Sequence, residues 1–202
     1  VVADVADHFR LRWHGATDKE LPRAMPPDAA GEIEAQIVRT IPENVYERSL
    51  PNGDFSILES YVGAIRAAER FVYLENQFLW SPEIVELLAE KLRNPPRDDF
   101  RILVLLPVNA NDGADVSRGQ VAALIDADDG NARFLACSVY ARSGKLRDPI
   151  YVHAKVAIVD DRWLTIGSAN LNEHSLFNDS EMNVVVRDEA LARETRLRLW
   201  SE

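Results

Sequence analysis

The sequence predicts an α/β protein: a mixed β-sheet flanked by helices on both faces. Three observations point to it. Apolar residues between positions 57 and 139 alternate between helical and strand-like patterns. One stretch, Ile102-Leu103-Val104-Leu105-Leu106, is continuously apolar, as in a strand covered on both sides. Near the end, two strand-like segments flank the short polar Asp160-Asp161-Arg162, which reads as a hairpin. Alternating units plus a hairpin give a mixed sheet.

Each element follows from local pattern. Residues 1–14 place Val2, Val5, Phe9 and Trp13 at helical spacing. Pro22, Pro26, Pro27 and Gly31 make the next stretch a linker. Ala35–Thr40 reads as a strand, and Pro42–Asp54 as a loop. Ile57, Leu58, Tyr61 and Ile65 line a helix, and Phe71–Glu75 is a strand. Ser81-Pro82-Glu83 caps a helix with Ile84, Leu87, Leu88 and Leu92 on its apolar face. After the 102–106 strand come a helix over Val116–Ala127 and a strand near Arg133–Val139. Strands are expected at Ile150–Val159, Trp163–Ile166 and Glu181–Val186, then a final helix capped by Asp188.

Composition narrows the function. The 202 residues carry 23 basic and 33 acidic side chains, a net charge of −10. That argues against a dedicated duplex nucleic-acid binder. The single cysteine, Cys137, forms no internal disulfide. No apolar run is long enough to span a membrane, so a soluble or peripheral-membrane protein is expected, its compartment unknown. The chain opens inside a helix-like stretch and ends without a capping glycine, and it reads as a piece of a longer protein. Neither Asn109–Gly113 nor Asp126–Gly130 spaces its carboxylates as a calcium loop does, and no Cys/His cluster suits zinc. Neither metal nor cofactor is expected.

The chemistry concentrates in one stretch. In a strand, residues two apart share a face, so His153 and Lys155 point together while Val152, Ala154 and Val156 point away. An unpartnered lysine is costly to bury, so that face should open onto a cleft, an anion or a carboxylate. Gly167-Ser168-Ala169-Asn170 follows the second hairpin strand and offers a hydroxyl, an amide and backbone N–H groups. A proton-shuttling imidazole, a fixed cation and neutral donors suit a phosphoryl oxyanion. Taken singly, each has a plainer reading: a histidine in a strand is usually packing or surface, and Ser168 and Asn170 are ordinary turn residues. The spacing unites them.

His-x-Lys-x4-Asp followed by Gly-Ser-x-Asn, here His153, Lys155, Asp160, Gly167, Ser168 and Asn170, resembles the signature of the phospholipase D superfamily. Tyr73-Leu74-Glu75-Asn76-Gln77-Phe78 resembles the element before the second copy of that signature. The resemblance implies a catalytic set of His153, Lys155, Asp160, Ser168, Asn170 and Glu181, with Gly167, Glu75, Asn76 and Gln77 at the substrate. Glu181 is expected to hold the His153 ring. Asp160 is ambiguous, because its parity turns it away from His153 and suggests a structural role. The resemblance further implies residues 1–34 as the end of a preceding half and 35–202 as the C-terminal catalytic domain. It implies a phospholipid substrate at a peripheral membrane surface and a missing half, or a second copy, supplying another histidine; nucleic acid is not expected. A nuclease or cardiolipin synthase-type enzyme, and a non-catalytic phosphate- or lipid-binding module, are the other readings. Trp80, Phe78, His8 and His14 read as packing or surface, and His174 as a weak candidate for the cleft.

Overall fold

A computed structural model describes residues 1–23, 25–109 and 113–201. The Asn109–Gly113 loop therefore lies partly outside the described residues. Five α-helices run over Val2–Thr17 (α1), Ser56–Ala67 (α2), Pro82–Arg93 (α3), Ala114–Asp128 (α4) and Glu189–Leu199 (α5). Nine strands are Ala35–Thr40 (β1), Phe71–Asn76 (β2), Arg101–Leu105 (β3), Phe134–Cys137 (β4), Tyr140–Ser143 (β5), Leu146–Pro149 (β6), Lys155–Val159 (β7), Trp163–Gly167 (β8) and Glu181–Val186 (β9). A π-turn covers His174–Asn178.

Seven strands form one sheet in the order β1-β9-β8-β7-β2-β3-β4. β2, β3 and β4 are parallel, and the other neighbours are antiparallel. The period of two divides the side chains. Val72 and Leu74 of β2, with Ala157 and Val159 of β7, pack beneath α2, α3 and α4 through Tyr61, Ile84, Leu88 and Leu124. Tyr73 and Ile158 pack on the other face with Ala192 and Leu199 of α5. The expected mixed sheet with helices on both faces is the observed architecture.

Caps hold the helices. The Ser81 hydroxyl accepts from the Ile84 N–H at 3.3 Å, and Asp188 accepts from the Leu191 N–H at 2.7 Å. α5 is anchored by Arg196, which reaches both oxygens of Asp161 at 2.6 and 2.8 Å and lies over the Phe71 and Trp200 rings. His8 is buried where α1 packs, whereas Val2, Val5, Phe9 and Trp13 on that helix are exposed. The Trp80 indole donates to the Ser117 hydroxyl at 2.8 Å, tying the segment that enters α3 to α4, and its ring lies against Phe78.

Three differences from expectation have clear causes. The strand expected at Ile150 begins only at Lys155, because β2 ends at Asn76, its register partner. Residues 140–149 form a separate two-stranded hairpin, β5–β6, turned at Gly144 with φ of 61°. The π-turn was not expected; one widened turn leaves no period to read.

A candidate phosphodiester site at one edge of the sheet

The parallel strands β2, β3 and β4 end at one edge of the sheet. β8 ends there too, and β7 and β9 begin there. Ligand crevices form outside the carboxyl ends of such strands. Lys155 opposes Asn76, and Gly167 opposes Asn183, so every motif residue except Asp160 gathers on this edge.

His153 precedes β7 and is exposed, while Lys155 is buried directly below. The Lys155 ammonium donates to Gln77 Oε1 and to the His153 carbonyl, each at 3.2 Å. The Gln77 amide donates to the Tyr151 hydroxyl at 2.7 Å, and the Tyr151 and His153 rings lie 6.4 Å apart. Burial pulls the Lys155 pKa below its ordinary value, and the Glu181 carboxylate opposes that shift.

Glu181 does not hold the His153 ring. Its oxygens accept from the Ser168 hydroxyl and, at 2.7 Å, from the Ser175 hydroxyl of the π-turn. Ser168 also accepts from the Met182 N–H at 3.1 Å. Ser168 therefore fixes the carboxylate that faces Lys155, rather than presenting a free hydroxyl proton. Asn170 is half-buried, with its side-chain oxygen unpartnered among the described residues.

Four other candidates are held in structural contacts. Asp160 lies at the far end of β7, its carboxylate accepting from the backbone N–H groups of Glu69, Arg70 and Phe71. It is a structural clamp, as its parity indicated. Glu75 opposes Val156, so the pleat turns it to the α5 face, where it accepts from the Tyr73 hydroxyl at 2.9 Å. Asn76 is buried, and its oxygen accepts from the Phe78 and Leu171 N–H groups at 3.2 Å, tying the loop after Asn170 to β2. Gly167 is a packing position: a Cβ there would stand 2.5 Å from the Asn183 Cα. Gly167→Ala is expected to cost about 1–3 kcal/mol; a denaturant midpoint unchanged from wild type would contradict this.

Sequence reasoning passed over Tyr151, Ser175 and Asn183. Tyr151 was legible, since it shares the parity of His153 and Lys155. Asn183 is buried and accepts from the Ala169 N–H at 3.2 Å, bracing the Gly-Ser-x-Asn turn. His174 is exposed on the π-turn. A cavity of about 370 Å³ adjoins the site at Gln77, lined also by Leu106, Arg118, Val121, Cys137 and Tyr140. Burial, then the Glu75 carboxylate, pushes the Cys137 thiol up, so it stays protonated near neutral pH. Among the described residues, no group of three His, Cys, Asp or Glu side chains is placed to hold a metal ion.

The family described as cardiolipin synthase, PLD-like domain, matches residues 61–201. The chain belongs to the phospholipase D superfamily. Phospholipase D A of Dictyostelium discoideum is 28% identical over 98% of this chain and 20% of its own length. Human phospholipase D1 is 26% identical over 92% of this chain and 22% of its own length. The chain thus spans about a fifth of these curated relatives. NucT from Helicobacter pylori has the same fold, with a TM-score of 0.59 and 16% identity, covering 83% of this chain and 95% of its own. The phospholipase D family member Nuc from Salmonella typhimurium matches with a TM-score of 0.55 and 20% identity, covering 84% and 93%. No helix among the described residues is long and apolar enough to cross a membrane.

The Lys155 ammonium opposes stability. Its lowered pKa means the unfolded chain binds that proton more tightly, so stability rises with pH between the lowered value and the ordinary one near 10.5. Removing the ammonium relieves that cost, but it also leaves the Glu181 carboxylate without its facing cation and Gln77 Oε1 without its donor, and the two effects oppose each other. Lys155→Met should therefore change Tm by no more than about 4 °C in either direction. Inorganic phosphate is expected to raise the Tm of the wild-type chain, and Lys155→Met should abolish that increase. A phosphate effect that survives Lys155→Met, or a Tm shifted by far more than this, would refute the account.

Proposed function

We propose that this edge of the sheet cleaves or transfers phosphodiesters of phospholipids, in the manner of a phospholipase D, with residues 35–202 as a catalytic half. One observation carries the reading. His153 stands exposed above a buried ammonium whose position is fixed by Gln77 and whose charge faces Glu181. Lys155 would bind a non-bridging phosphoryl oxygen, and backbone N–H groups and the Asn170 amide would supply neutral donors. Phosphate binding would add a second counter-charge to that of Glu181 and offset the loss of solvent that burial imposes on Lys155.

Two histidines are needed for the covalent route. One attacks phosphorus, the P–O bond to the alcohol breaks, and the other gives the leaving oxygen its proton. That second histidine then takes a proton from water or an acceptor alcohol, whose oxygen attacks phosphorus and breaks the P–N bond. We assign His153 to the acid–base role. The nucleophile comes from a preceding half or a second copy of this chain. Two facts support an incomplete site: one motif, and the exposed stripe Val2, Val5, Phe9 and Trp13 on α1. Residues 1–34 fit the close of that other half.

The test measures head-group release from phospholipid by this chain, alone and mixed with a half bearing the second histidine. Release that appears only on mixing supports the assignment. Robust release by a strictly monomeric chain would overturn the half-site reading. A chain that cleaves no diester in either setting would overturn the catalytic one. An acceptor alcohol in the same assay separates transfer from hydrolysis.

A further inference from the structure

The β5–β6 hairpin is an outlier in this chain. It stands apart from the main sheet, and all eight of its strand residues are exposed. An isolated two-stranded ribbon is marginally stable in water. Its register makes matters worse, because Arg142 lies directly opposite Arg147. Like charges in a cross-strand pair repel. Lys145 adds a third cation at the turn, against the single carboxylate of Asp148, in a chain of net charge −10. Among the described residues none of the three cations makes an ion pair, and Arg142 Nε donates only to the Gly144 carbonyl, at 3.2 Å. Beside them Leu146 is 72% exposed, and Tyr140 and Ile150 also face solvent.

We infer that this hairpin docks the protein on an anionic phospholipid surface. Arg142, Lys145 and Arg147 meet lipid headgroup phosphates, and Leu146 enters the boundary between headgroups and acyl chains. Anionic headgroups relieve the cross-strand repulsion, and a water–lipid interface accommodates cations interleaved with apolar side chains. A nucleic-acid backbone would match the charge but leave Leu146 in water. The placement suits a substrate held in a bilayer. The Ile150 N–H donates to the Val139 carbonyl at 2.9 Å, closing the base of the hairpin. Tyr151 and His153 follow directly, so the hairpin stands at the mouth of the site. The choice of lipid among polyanions rests on the phospholipid reading above, but vesicle binding needs no turnover, so the two can fail separately.

Flotation of the full chain with vesicles tests it. Vesicles of phosphatidylcholine alone should bind weakly. Equal parts of phosphatidylcholine and phosphatidylglycerol should bind the chain in a salt-sensitive way. The triple variant Arg142→Gln, Lys145→Gln, Arg147→Gln should weaken that binding about a hundredfold, and Leu146→Ser about tenfold. Arg142→Glu supplies the fold control. It places a carboxylate opposite Arg147, so Tm should hold or rise while vesicle binding falls about thirtyfold. Once each is mixed with a half bearing the second histidine, cleavage of a water-soluble diester should be the same in every hairpin variant. Equal binding to both vesicle types, or binding untouched by these variants, would overturn the inference. So would hairpin-dependent binding to an oligonucleotide, or hairpin-dependent self-association, in a chain that does not float with anionic vesicles.

Discussion

His153→Ala is expected to lower diester cleavage by at least about 10³-fold in the assembled enzyme while leaving Tm unchanged. General acid–base assistance alone is worth roughly 10²–10⁴-fold, and here the same imidazole serves both the departure of the alcohol and the activation of water. Stability should hold because the ring is exposed and makes no hydrogen bond among the described residues. Exposed positions of this kind change stability by about 0.5 kcal/mol or less. Added imidazole provides the decisive control. It should restore part of the lost rate in His153→Ala, since a small base can enter the space the side chain vacates. It should do nothing for Lys155→Met, where a fixed cation and not a proton carrier is lost. A variant that keeps most of its activity would remove His153 from the chemistry. One that loses activity together with several degrees of Tm would make it structural.

Much of this architecture was legible because local and long-range signals agree. Ala35–Thr40 has the bounds read from its apolar pattern, and Ser81 and Asp188 cap the helices they were expected to cap. Disagreement appears where pairing decides the outcome. Ile150–Ala154 has the composition of a strand, but β2 offers no partner beyond Asn76, so this segment leaves the sheet and frees His153. The hairpin at 140–149 carries a Ser-Gly turn signal, yet its charged strands lack the apolar alternation by which strands are read. Within the site, the period of two places Tyr151, His153 and Lys155 together and Glu75 on the far side. Applied to β2 as well as β7, it would have removed Glu75 beforehand. The partners of Glu181 were beyond reach, since Ser175 comes to it through a π-turn that no sequence period announces.

Asp160→Ala should damage the fold and spare the chemistry, although Asp160 belongs to the family's signature. Its buried carboxylate accepts from the N–H groups of Glu69, Arg70 and Phe71 at 2.7, 2.8 and 2.7 Å. Those bonds fix the passage from α2 into β2 onto the β7–β8 turn, some ninety residues away in sequence. Hydrogen bonds to a charged group contribute about 1.5–3 kcal/mol each, but Glu69 and Arg70 are exposed enough for water to recover part of the loss. A net cost of about 3–5 kcal/mol follows, which corresponds to a fall in Tm of roughly 6–20 °C. Backbone geometry adds to it. Asp160 and Asp161 have φ of 55° and 56°, and aspartate tolerates that region better than alanine. Three substitutions separate the contributions. Asn keeps an acceptor and the tolerance for positive φ, so it should be mildest. Gly keeps only the geometry and should be intermediate, and Ala keeps neither. Diester cleavage below the lowered Tm should stay within a few-fold of wild type for all three, because Asp160 lies five residues along β7 from Lys155, roughly 16 Å away. Loss of cleavage at unchanged Tm would return Asp160 to the catalytic set.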